Sequence, residues 1–175
     1  HVVSGVLQEA LEAVGAPAYD EEDFKLARAF FYDGVSPEEL EAKKAAIKKK
    51  FGPALAETFY EKPLDTHIAP LAWKGEIQSG SSDVGDASYV MPTAWLSTAT
   101  ATLGTAGHTW QMAAHGNTGI AHKAMLTAGK VLALAAVRFY EEPELAEAAK
   151  KELAEETGGV YECPIPKEIG PRLED

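Results

Sequence analysis

Three of the five histidines, His108, His115 and His122, fall within fifteen residues of one another. Neutral imidazole is the commonest protein ligand for zinc and similar ions, so the cluster raises the chemistry of a metal centre. Its spacing limits that reading. Each step is seven residues, not the three or four that set two ligands side by side on a helix. A centre also needs three or four ligands, and the usual carboxylate or thiolate companions are missing nearby. The segment therefore lends one or two ligands to a centre completed elsewhere, or its histidines are loop residues that hydrogen-bond or face solvent.

A second candidate is the small, polar run Gly80-Ser81-Ser82-Asp83-Val84-Gly85-Asp86. It reads as a loop or tight turn that lets backbone approach another group closely. Asp83 could contact substrate there, or orient a metal-bound histidine. The plainer alternative is that Asp83 and Asp86 bond their own backbone in turns. No nucleophile elbow or phosphate-binding glycine loop is present, and Cys163 lies in a proline-rich tail remote from any base.

The elements that must hold these residues are legible in part. Ala94 to Leu103, rich in threonine and otherwise small or apolar, reads as a buried strand. A loop carrying His108 follows, then a helix from Gly119 to Tyr140 that is apolar on most sides and should be covered on more than one. The histidines thus flank a strand-to-helix junction, the place where ligands gather in α/β sheets. Val3, Leu7, Ala10, Leu11 and Val14 give an opening helix one apolar face with no obvious partner, stopped at Gly15. That helix begins at His1 without a cap, which suggests polypeptide ahead of it. Asp20 is an N-cap ahead of Glu21, Glu22 and Asp23. Ser36-Pro37-Glu38-Glu39 is a capping box with proline at the first helical position. The helix it opens runs to about Lys50. From Ala54 to Gly80 the pattern is broken by Pro63 and Pro70, with an extended piece inside 70–78. Pro143 opens a last amphipathic helix ending at Gly158-Gly159, and an extended tail closes the chain. Helices and strands in mixed order predict an α/β fold, a mixed sheet with flanking helices.

Composition excludes other functions. The 175 residues carry a formal net charge of −11 and no basic stripe, so a nucleic-acid partner is not expected. One cysteine rules out an internal disulfide and fits a reducing cytoplasm. The longest apolar stretch, near Ala124 to Val137, is broken by Lys130 and reads as too short to span a bilayer, so no membrane partner is expected.

Four motifs in order then carry a resemblance. Gly80 to Tyr89, Gly107-His108-Thr109-Trp110-Gln111, Ile120-Ala121-His122-Lys123-Ala124-Met125 and Tyr161-Glu162-Cys163-Pro164-Ile165-Pro166 resemble the aminobenzoyl-glutamate utilisation protein B group of metal-dependent amidohydrolases. Val14 to Asp23 is similar to the same group. The resemblance implies that residues 1–17 end the last helix of a lid or dimerisation domain. Residues 18–175 would then form the C-terminal half of a two-metal peptidase catalytic domain. It also implies a pair of divalent metals, zinc or manganese, whose other ligands and general base lie in the N-terminal half. The expected substrate is a small N-acyl or aminobenzoyl amino acid, the expected assembly a homodimer, and the isolated chain should be inactive. By the resemblance His108 is the first choice of metal ligand, His115 its rival and His122 the third, with Ser82 and Asp83 near substrate. A different class stays open: a non-catalytic binding module or partner subunit that keeps the fold. Either way, apolar surface left open along the first helix and a sheet edge should make the isolated chain self-associate.

Overall fold

The computed structural model describes residues 1–71, 82–163, 165–166 and 168–170. Those residues form eight helices and no strand, so the expected mixed α/β sheet is corrected to a helical arrangement. The helices are α1 (Val2–Val14), α2 (Glu21–Tyr32), α3 (Pro37–Phe51), α4 (Pro53–Glu61), α5 (Val84–Val90), α6 (Trp110–His115), α7 (Gly119–Glu141) and α8 (Pro143–Thr157).

Local chemistry sets most of their boundaries. The Asp20 carboxylate accepts from the backbone of Glu22 and Asp23, while Asp23 reaches back to the Asp20 N–H, closing a capping box. Ser36 and Glu39 close a second box with Pro37 at the first helical position. Thr118 caps α7 by accepting from Ala121. Gly15 ends α1 at φ +84° with extended ψ, so it stops the helix without the left-handed turn its type suggested. Gly158, at φ +71° and ψ 8°, does make that turn after α8. Pro53 begins α4, where sequence alone suggested only broken pieces.

Packing divides into clusters joined by the ends of α2 and α7. Val6, Leu7 and Ala10 of α1 bury against Val131 and Ala135 of α7, with Leu145 of α8 alongside. The apolar face of α1 therefore has its partner within the chain, contrary to the expectation of an open first helix. Phe31 of α2, Ile47 of α3, and Ala56 and Phe59 of α4 form a second cluster. Ala27, Leu64 and Ile120 link α2 to the start of α7. Lys123 ties the same junction, pairing with Asp20 at 2.6 Å and with the buried Asp23. Asp23 also crowds Gly119, where an added Cβ would lie 2.9 Å from its carboxylate.

The proposed strand explains the missed fold class. Residues 92–98 alternate between half-buried and exposed positions, with Ala94 and Leu96 packed on the α1–α7 cluster and Trp95 turned out. That is the period of an extended chain. No described residue lies beside it as a ladder partner, and alternation in sequence cannot reveal whether one exists. The extended piece expected inside 70–78 falls almost wholly outside the described residues.

By length and composition α7 would suffice to cross a bilayer, which corrects the reading that its apolar stretch is too short. Its packing on α1 and α8 marks it instead as the central helix of the fold. The described residues cover it along one side only. Met125, Leu126, Leu132, Val137 and Tyr140 stay exposed on the other.

Candidate functional site

Each histidine of the cluster has a different surrounding. His108 is exposed and forms the tip of a turn that the Thr109 hydroxyl closes by donating to the Ala106 carbonyl at 2.8 Å. The same hydroxyl accepts from Met112 N–H and so caps α6. His108 takes φ +57°, the only non-glycine residue with positive φ among the described residues. A left-handed non-glycine residue costs energy, and such strain gathers at functional positions.

His115, the last residue of α6, is completely buried. Its Nδ1 lies 2.7 Å from the Gln111 carbonyl, which can only accept, and its Nε2 lies 3.2 Å from Thr102 N–H, which can only donate. Those partners fix the tautomer: Nδ1 carries the proton and Nε2 accepts. The Thr102 hydroxyl adds a contact at 2.9 Å, and the ring rests on Phe30 with centroids 3.9 Å apart. Burial pushes the His115 pKa below the ordinary histidine range, opposed by the bond to Gln111. Either nitrogen would have to give up its partner to bind a metal. The geometry gives His115 a bracing task, joining α6 to the 102 turn and to α2.

His122 is exposed on α7, on the same open side as Met125 and Leu126 at about 100° per residue. The three rings do not converge on one point. Among the described residues, the three-membered set of His, Cys, Asp or Glu groups close enough to share an ion is His1, Glu152 and Glu156, at the α1–α8 corner. Two hollows of about 390 and 470 Å³ are lined respectively by α1, α5 and α8 residues and by residues 65–69 and 97–104, with none of the three histidines.

Ser82 and Asp83 are both exposed at the entry to α5. The Ser82 hydroxyl accepts from Val84 N–H at 3.2 Å, and the Asp83 side chain makes no cap bond to the helix. The turn is therefore serine's rather than the aspartates'. Asp86 serves elsewhere, accepting from the Tyr161 hydroxyl at 2.6 Å while Tyr161 stacks on Tyr89. That bond raises the Tyr161 pKa above the usual phenol range and fixes the start of the tail on α5. Sequence reasoning did not find the Asp86–Tyr161 tie or the Thr102–His115 pair. Their partners lie 75 and 13 residues apart with no periodic signal joining them.

These features describe a helical unit that presents one strained, exposed imidazole beside a short capped helix. No family model matches the chain, and no solved structure does. The resemblance to the aminobenzoyl-glutamate utilisation group is borne out by a curated relative. The chain is 30% identical over 172 residues to a subunit of the p-aminobenzoyl-glutamate hydrolase of Escherichia coli (strain K12). The match covers 97% of this chain but 36% of that protein, so the chain spans about a third of its relative's length.

Proposed function

We propose that this chain is part of a metal-dependent amidohydrolase that cleaves the amide bond of an aminobenzoyl- or N-acyl-amino acid. The observation that carries the reading is the similarity, along nearly the whole chain, to a subunit named for p-aminobenzoyl-glutamate hydrolysis. At the residue level His108 supports it. The ring is exposed, its backbone is held in a strained turn, and it lies within the Gly107–Gln111 motif.

A pair of zinc or manganese ions would lower the pKa of a bound water and polarise the scissile carbonyl. The donors in this chain do not hold such a pair by themselves, since no carboxylate or second imidazole joins His108 in a set of three among the described residues. The chain's share is one imidazole, pre-aimed by its turn, and the remaining ligands and the general base belong to polypeptide outside these residues. Residues 1–17 would serve a lid or dimerisation domain and 18–175 the catalytic part of a homodimer. Ser82 and Asp83 are candidates for contact with substrate.

The test is hydrolysis of p-aminobenzoyl-glutamate by the longest polypeptide the gene encodes. Chelation should abolish activity, and zinc or manganese should restore it. His108→Ala should lower kcat by about 100-fold or more, as loss of a metal-bound group does, while His122→Ala retains most of it. Full activity in His108→Ala overturns the assignment. No hydrolysis by that polypeptide favours the alternative of a non-catalytic binding module, which the absence of a converged ligand set also fits.

A further inference from the structure

The central helix α7 is apolar on two opposite sides. One side carries the buried Ala124, Val131 and Ala135, the last two packed against α1 with Leu145 of α8 alongside. The other runs through Met125, Leu126, Leu132, Val137 and Tyr140, with Gly129 between them, and is open. Met125 is 62% exposed, Leu132 54% and Tyr140 88%. At 100° and 1.5 Å per residue the positions from Met125 to Tyr140 form one continuous stripe, about 23 Å long, with Lys130 at its margin. A helix apolar all round belongs between two layers, and the described residues supply only one. A contiguous apolar patch of this kind marks an interaction surface.

We infer that the open stripe of α7 is the docking face for the polypeptide of the same protein that lies outside these 175 residues. The inference rests on the reading that the chain works within a longer amidohydrolase. The occupant is chosen on length and chemistry. The chain aligns over 97% of itself with a relative of which it covers 36%, so most of that relative's mass has no counterpart here to cover α7. The stripe between Met125 and Val137 carries charge only at its edge, so it fits an apolar layer rather than a charged partner. A membrane surface fits less well. Interfacial helices turn a cationic face to water, whereas the second side of α7 is packed on α1, and the net charge of −11 opposes anionic lipid.

The experiment compares maleimide labelling of Leu132→Cys, in a Cys163→Ser background, in two proteins: the 175-residue chain and the longest polypeptide its gene encodes. Lys48→Cys on exposed α3 gives the rate of an open site. The expected result is fast labelling of position 132 in the short chain and at least tenfold slower labelling in the long one, with position 48 fast in both. Equal labelling in both proteins overturns the inference, as does a gene that encodes nothing further. Protection in the long protein that is lost when a dimer seen by light scattering is diluted to monomer overturns it in favour of a second copy. Protection that appears only when anionic vesicles are added overturns it in favour of lipid. Labelling is read without catalysis, so the two claims fail separately. A protected but inactive long protein retains the docking face and loses the hydrolase, and an unprotected active one does the reverse.

Discussion

The Nε2 atom of His115 faces two groups of Thr102, and one of them, the backbone N–H, can only donate. A proton on Nε2 would set donor against donor inside a buried site. Stability therefore depends on the neutral ring. The folded pKa lies below the unfolded value near 6.5, so the unfolded chain binds the extra proton as pH falls. This contribution is complete above about pH 6.5 and is lost progressively below it. Urea unfolding between pH 5 and 7.5 should show that slope, and His115→Gln should flatten it. His115→Ala leaves the Thr102 N–H without its partner and opens a cavity beside Phe30, costing about 2–4 kcal/mol. His108 predicts the opposite. Its ring is exposed and its backbone is left-handed, so His108→Gly should stabilise the chain by about 0.5–1 kcal/mol, net of glycine's entropy, while His108→Ala should not. Equal unfolding midpoints for the two variants would show that the turn stores no strain.

Among the described residues Lys123 supplies the ionic tie between the N-terminus of α2 and the first turns of α7. It serves both carboxylates of the Asp20–Asp23 capping box, and its bond lowers the Asp20 pKa. Lys123→Met should lower the unfolding midpoint, because the buried Asp23 then lacks its cation. Asp23→Asn should recover part of that loss when combined with it, a coupling that a double-mutant cycle measures. Simple additivity would show that the contact contributes nothing beyond its parts. Such caps were the legible part of the fold. Asp20, Ser36, Pro37 and Pro143 stand at helix starts as their types predict, and the span of α7 was readable within a residue. The layer architecture was not. Residues 92–98 have strand alternation because they lie extended over α1 and α7, and a ladder is a property of two segments. Helix α4 was hidden because Pro53 opens it directly after Gly52 ends α3, in a stretch that Pro63 and Pro70 interrupt. The site was legible as residue types and motifs only. Three equally spaced histidines look alike in sequence, and burial alone separates His115 from the exposed pair.

At the scale of the molecule, the covered and uncovered sides of α7 decide what the isolated chain can do. Self-association was expected from an open α1, but α1 is packed, and any tendency to associate should reside on α7. Leu132→Gln with Met125→Gln should therefore suppress concentration-dependent scattering without lowering the unfolding midpoint, since both side chains are already largely in water. Metal binding provides a complementary test. An ion that binds only the folded state stabilises it by RT ln(1 + [L]/Kd), so 0.1 mM zinc on a site of 1 µM affinity would add about 2.7 kcal/mol. His108 alone, without two further donors, cannot approach that affinity. Zinc or manganese at 0.1 mM should shift the melting midpoint of the 175-residue chain by no more than about 1 °C. The polypeptide that completes the ligand set should rise by several degrees, and His108→Ala should remove the rise. A large shift in the short chain, surviving His108→Ala, would place an intact metal site within these residues and away from the Gly107–Gln111 turn.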